Sequence, residues 1–183
     1  MMPIAVLSAA ILQLLLAGTF FVIPVVGRRL GPDAQRAAEA DIARQGLPAA
    51  LLARHRIDFG ASRASVVLAM SIGVCLAALA LLNLSGSGTG RILSWIFQAV
   101  IFVLGCVIMP GEVFTTRYIK AAFHKSDDPG LRGLDVEAFV DAAAGAYPSW
   151  FRGVIAARLI LATVGSLLVI VALALPAVSG YFA

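Results

Sequence analysis

The sequence predicts an all-α integral membrane protein: a four-transmembrane-helix bundle with two cytoplasmic helical segments and both termini outside. Three observations predict it. Hydrophobic residues make up 61% and charged residues 13% of the 183 positions, against about 45–50% and about 25% in soluble domains. The apolar residues fall into four uncharged blocks, each near the roughly 20 residues that about 30 Å of hydrocarbon requires. The basic residues are concentrated in alternate connections between those blocks. A single membrane domain, residues 1–183, follows.

The first block, 4–26, is preceded by Met1-Met2-Pro3 and followed by Arg28-Arg29. A secretory signal has the opposite polarity, so this reads as a retained span with its amino terminus outside. The second span is 65–84. The third, 92–111, is bounded by Arg91 and Glu112, and the fourth, 159–178, is preceded by Arg158. Only a helix satisfies its own backbone in lipid at such lengths.

Basic residues set the direction. Segment 27–64 carries Arg28, Arg29, Arg36, Arg44, Arg54, Arg56 and Arg63, and segment 112–158 carries Arg117, Lys120, Lys125, Arg132, Arg152 and Arg158. The connector between spans two and three has only Arg91, and the termini have none. Seven and six against one places both long segments in the cytoplasm. The Gly/Ser-rich stretch 83–90 then lies outside as a flexible connector. Twelve of the 14 basic residues are Arg and Ala is abundant. That bias fits a high-GC bacterial genome, and so a bacterial inner (plasma) membrane.

In segment 27–64, Pro32 and Asp33 suit the first turn of a short helix over 34–45. Gly46-Leu47-Pro48 ends it, and 49–55 adds a turn or two. In segment 112–158, Pro110-Gly111 predicts a kink at the end of span three, with helix continuing over 113–125. Ser126-Asp127-Asp128-Pro129-Gly130 is a turn on composition. A second helix starts at Asp135, where Val136, Phe139, Val140, Ala143 and Tyr147 share one face. Leu134 and Phe139 form a hydrophobic staple around the Asp135 cap, and Pro148 ends the helix. The polar face carries Asp135, Glu137 and Asp141, which disfavours an anionic lipid surface. Packing onto protein is therefore expected; the alternative is a position on the inner leaflet with Trp150, Phe151 and Arg152 as anchors.

Few residues point to chemistry. Glu112 and Arg158 sit at the inner ends of spans three and four. Ionisable groups there are costly unless paired or wet, so the two form either a structural ion pair or a proton or substrate site at the cytoplasmic mouth. Gln13 and Gln98 lie about 14 Å and about 9 Å below the outer edge at about 1.5 Å per residue, placed to hydrogen-bond across the bundle or, as the alternative, to contact a polar substrate. His55 and His124 sit one in each cytoplasmic segment, candidates for a converging metal or haem pair or for acid–base chemistry, but without a helical HxxxH spacing or acidic signature, so that separate exposed or capping histidines are the plainer reading. Cys75 and Cys106 read as small buried packing residues. Ala69, Gly73 and Ala77 form a small-residue stripe open to packing within the chain or to homodimerisation. No cofactor or metal motif is present.

The basic residues flank spans, so their role is topology and lipid headgroups rather than nucleic acid. The leading expectation is a non-enzymatic accessory, assembly or scaffold subunit whose cytoplasmic helices bind a protein partner. Two alternatives stand beside it. One is a small oligomeric transporter or channel with Glu112 and Arg158 near its path. The other is a membrane enzyme on a lipid or quinone-like substrate.

Overall fold

The computed structural model describes residues 2–55, 57–124 and 134–182, with Ala122 and His124 described by backbone alone. The expected turn at 126–130, together with Arg56, Lys125 and Arg132, lies outside the described residues. Among the described residues the chain is helical and has no strand. Four helices are long and apolar enough to cross a membrane: Ile4–Arg44, Arg63–Leu84, Gly88–Val107 and Ser149–Ala174. Their outer faces carry exposed Val67, Leu81, Ile96, Val103, Val107 and Val171, the surface expected of helices solvated by lipid rather than water.

Helix α1 (Ile4–Arg44) has 41 residues, which at about 1.5 Å per residue is about twice the hydrocarbon thickness. The sequence predicted a break after residue 26 and a new helix from Pro32. The helix instead runs through Pro24 and Pro32 without interruption. Tertiary burial explains the difference. Ala34, Ala38 and Ile42 recur at helical spacing and are fully buried, in one cluster with Leu52, Phe139 and Ala143. Packing of such a stripe outweighs local propensity, which is a weak prior.

The second partner in that cluster is α2 (Ala50–Arg54). Helix α3 (Arg63–Leu84) starts on Ser62, whose side chain accepts from the Ser65 N–H, an N-cap of ordinary kind. Its Gly73 lies so close to α1 that a Cβ there would come within 3.0 Å of the Phe21 ring and 3.3 Å of the Ala17 carbonyl. Ala69 and Ala77 pack into the same core. The small-residue stripe is thus an α1–α3 contact within one chain. The connector that follows was expected to begin at Asn83, but Asn83 belongs to α3 and is fully buried.

Helix α4 (Gly88–Val107) ends at Ile108, and the short α5 (Met109–Val113) carries Pro110 in its first turn. The expected kink is present as this break. Phe114 interrupts the chain again before α6 (Thr115–His124). Helix α7 (Val136–Gly145) is capped by Asp135, whose side chain accepts from the Glu137 and Ala138 N–H groups. Its apolar face, including Val136, Phe139, Val140 and Ala143, is buried against α1 and α2, with Leu134 beside it. The expectation that this helix packs on protein is met within the chain. Gln45 ties it down: its side-chain oxygen accepts from the Asp135 N–H at 2.8 Å, and its amide donates to the Asp135 carbonyl at 3.2 Å.

The fourth apolar helix begins earlier than the predicted 159–178. It comprises α8 (Ser149–Ile160), a π-helical turn (Leu161–Gly165) and α9 (Ser166–Ala174). Leu175 is extended before Pro176, which disfavours helix at the residue preceding it. A 3-10 turn (Pro176–Tyr181) then folds over the connector: the Tyr181 hydroxyl donates to the Leu84 carbonyl at 2.5 Å. Arg91 donates to the Leu173 carbonyl at 2.8 Å and lies over the Trp95 and Phe182 rings. This end is a built cap rather than a stub. Cys75 and Cys106, expected to be buried, face outward from the bundle.

Gly31 separates packing from propensity. A Cβ there would sit 2.4 Å from the Gly60 Cα, whereas one on Gly153 meets nothing within 4 Å. Gly31→Ala is expected to lower stability by about 1–3 kcal/mol through overpacking. Gly153→Ala is expected to raise it by up to about 1 kcal/mol. Thermal unfolding in detergent reads both; equal effects of one sign would contradict the close approach.

Candidate functional site

Helices α3 and α4 meet tightly at the connector end, where a Cβ on Gly90 would lie 2.6 Å from the Leu82 Cβ. At their arginine-rich ends they both line a cleft of about 1150 Å³. Its walls in the spans are apolar: Leu68 and Ile72 from α3, Leu104 and Ile108 from α4, with Phe20 of α1 and Ile101 behind them. Its rim is charged, carrying Asp58, Glu112, Arg117, Asp141, Arg152 and Arg158. Leu68, Leu104 and Ile108 are also exposed on the bundle surface, so the cleft opens sideways between two spans.

Two of the residues singled out in the sequence meet at this rim. Arg158 of α8 forms an ion pair with Glu112 of α5. Glu112 lies on α5, which follows the break at Ile108 and packs on α8. The pair is asymmetric: the Arg158 side chain is 7% exposed and that of Glu112 is 44% exposed. The Arg158 guanidinium also lies 5.6 Å from the Phe20 ring centroid, where the face of the ring favours a cation. Thus a buried cation is held by a carboxylate that still reaches the cleft.

The rim is fastened from both sides. The Phe59 N–H donates to the Gln35 side-chain oxygen at 3.1 Å, and the Phe59 carbonyl accepts from the Tyr147 hydroxyl at 2.6 Å. Burial and the nearby Asp58 carboxylate push the Tyr147 hydroxyl above its ordinary pKa, so it stays a donor further into alkaline pH than a free tyrosine. Tyr147 stacks on Phe151 at 4.7 Å. Phe151 is buried and serves packing, whereas Trp150 is exposed. Arg152 pairs with Asp141 at 3.0 Å and Lys120 with Glu137 at 2.6 Å. Such exposed pairs contribute little each.

The two span glutamines differ. Gln13 is bonded across the bundle: its amide donates to the Ser94 hydroxyl at 3.2 Å, and its oxygen accepts from the Asn83 amide at 3.0 Å. Asn83 also donates to Ser94 at 2.8 Å. Gln98, equally buried, has no partner for either side-chain atom. His55 packs edge-on against the Phe123 ring at 5.3 Å. The backbone of His124 follows directly at the end of α6, and its side chain lies outside the described residues. Among the described residues no three His, Cys, Asp or Glu side chains gather as a metal site would need.

Sequence reasoning missed Asn83, Ser94 and Ser166 as buried polar residues, and Asp58 and Tyr147 as parts of the rim. Ser94 carried a usable signal, lying four residues before Gln98 and so on the same helical face. Asn83 was masked by the Gly/Ser run that follows it, and Asp58 by its place in a loop.

A double-mutant cycle tests the ion pair. Glu112→Gln alone leaves Arg158 buried without its counter-charge and is expected to cost about 1–3 kcal/mol, less than a fully buried pair because Glu112 reaches solvent. Adding Arg158→Met to it is expected to recover most of that loss. Strictly additive effects on the unfolding midpoint would show that the pair is not coupled.

Comparison with protein-family models, with curated proteins and with solved structures finds no match to this chain.

Proposed function

We propose that this is a multi-pass membrane protein with both termini outside, and that it acts at the cytoplasmic face by holding a lipid in the cleft between α3 and α4. One observation carries the reading: a single cleft joins apolar span faces to a charged interfacial rim. That arrangement matches the two-part chemistry of an amphiphile, acyl chain below and headgroup above. Ligand sites in membrane bundles sit between helices with a few polar groups fixing orientation. The rim has three basic and three acidic side chains, so it complements a zwitterionic headgroup better than a purely anionic one. The seven-and-six against one distribution of basic residues supports the cytoplasmic placement.

The reading differs from the expectation of a protein partner held by the amphipathic helix, because the apolar face of α7 is already covered by α1 and α2. It retains the accessory character of that expectation, with a lipid at the working surface. Exposed Trp150, Phe114 and Tyr118 surround this end and suit the headgroup layer, where aromatic rings are enriched.

Reconstitution with a zwitterionic phospholipid bearing a photoreactive group in its acyl chain tests the cleft. Cross-links are expected to concentrate at Leu68, Ile72 and Leu104, and Ala69→Trp is expected to reduce them several-fold relative to Val103. Even labelling around the bundle would reject the site. Orientation is tested separately in intact cells. A membrane-impermeant maleimide is expected to modify Ala177→Cys and to spare Ala40→Cys; the reverse pattern would overturn the assignment.

A further inference from the structure

Away from the cleft, the bundle interior holds five fully buried polar side chains drawn from all four spans: Gln13, Asn83, Ser94, Gln98 and Ser166. Three of them form the bonded group described above. Four polar atoms in the set have no hydrogen-bond partner in the protein: the Asn83 side-chain oxygen, both side-chain atoms of Gln98 and the Ser166 hydroxyl.

The helix register brings these atoms to similar depth. Gly105 of α4 lies against Ala162, and Arg91 of α4 bonds the Leu173 carbonyl. Gln98 is midway between positions 91 and 105, which places it level with the region midway between 162 and 173. Ser166 falls there, within about one helical turn. Gln98 is also one turn from Ser94 on the same face. The π-helical turn Leu161–Gly165 immediately precedes Ser166, and such turns recur at functional positions in helices.

An amide or hydroxyl left without a partner in an apolar interior is strongly unfavourable. Several such atoms together require a ligand, and their chemistry restricts what it is. The Asn83 and Gln98 oxygens need donors, the Gln98 nitrogen needs an acceptor, and the Ser166 hydroxyl takes either. A bare cation satisfies the oxygens and leaves the nitrogen. An anion does the reverse. Turning the Gln98 amide over changes nothing, since both its ends lack partners. A neutral molecule that donates and accepts satisfies all four.

We infer that the four spans converge on a buried water site, with Gln98 at its centre and on the order of one or two water molecules completing the network. The site is separate from the lipid cleft and does not depend on it.

Solid-state NMR of the uniformly nitrogen-15-labelled protein in bilayers, read at the glutamine side-chain amides and at backbone amides, tests this. The chain has four glutamines, and Gln98→Met identifies the Gln98 signal by its loss. Magnetisation transfer from water to the Gln98 amide is expected to approach the rate seen for Gln35 and Gln45 at the arginine-rich end. Transfer as slow as to the backbone amides of Val100 and Val103 would overturn the site.

Discussion

The burial of Ala34, Ala38 and Ile42 beneath α7 and α2 keeps α1 helical far beyond the apolar block where it begins, and the rest of the molecule is arranged around that extension. Its first half is apolar enough to cross a membrane and packs on α3 and α9. Its second half stands outside the apolar blocks and supplies one wall of a small water-excluded core. Two different driving forces therefore act on one helix. In lipid there is no hydrophobic gain between helices, and close packing with hydrogen bonds must serve instead. Outside it, ordinary apolar burial operates. The small residues Ala17 and Gly73 serve the first regime, and Ile42, Leu52 and Phe139 the second.

The cleft lies at the boundary of those regimes. Its upper wall, Ile57 to Ala61, is held by Tyr147 and Gln35 through the backbone of Phe59. Its lower walls are span faces. Arg158 marks the level at which the change occurs. A buried guanidinium demands a counter-charge, and Glu112 provides it from α5, beyond the break that ends α4.

Much of this was legible in the sequence. Four spans, the kink at Pro110-Gly111, the Asp135 cap and the buried face of α7 all follow from local patterns, since blocks of apolar residues and capping positions act over a few residues. The meeting of Glu112 with Arg158 was legible because both lie at span edges of like depth. What could not be read depends on tertiary contact. Pro32 remains inside a helix because a distant segment covers the next three turns. Cys75 and Cys106 face outward, a difference that the apolar character of cysteine does not signal in sequence. Nothing beside Ser166 in the sequence marks it as fully buried.

The spacing of the helices explains why the cleft opens where it does. Two close approaches are set by glycine: Gly90 against Leu82 at one end of α3 and α4, and Gly105 against Ala162 between α4 and the fourth span. The first pins α3 and α4 together at the connector. The second fastens α4 to the fourth span instead. Nearer the arginine-rich side α3 and α4 share no such glycine contact among the described residues, and there both line the cleft together with Phe20 and Ile101.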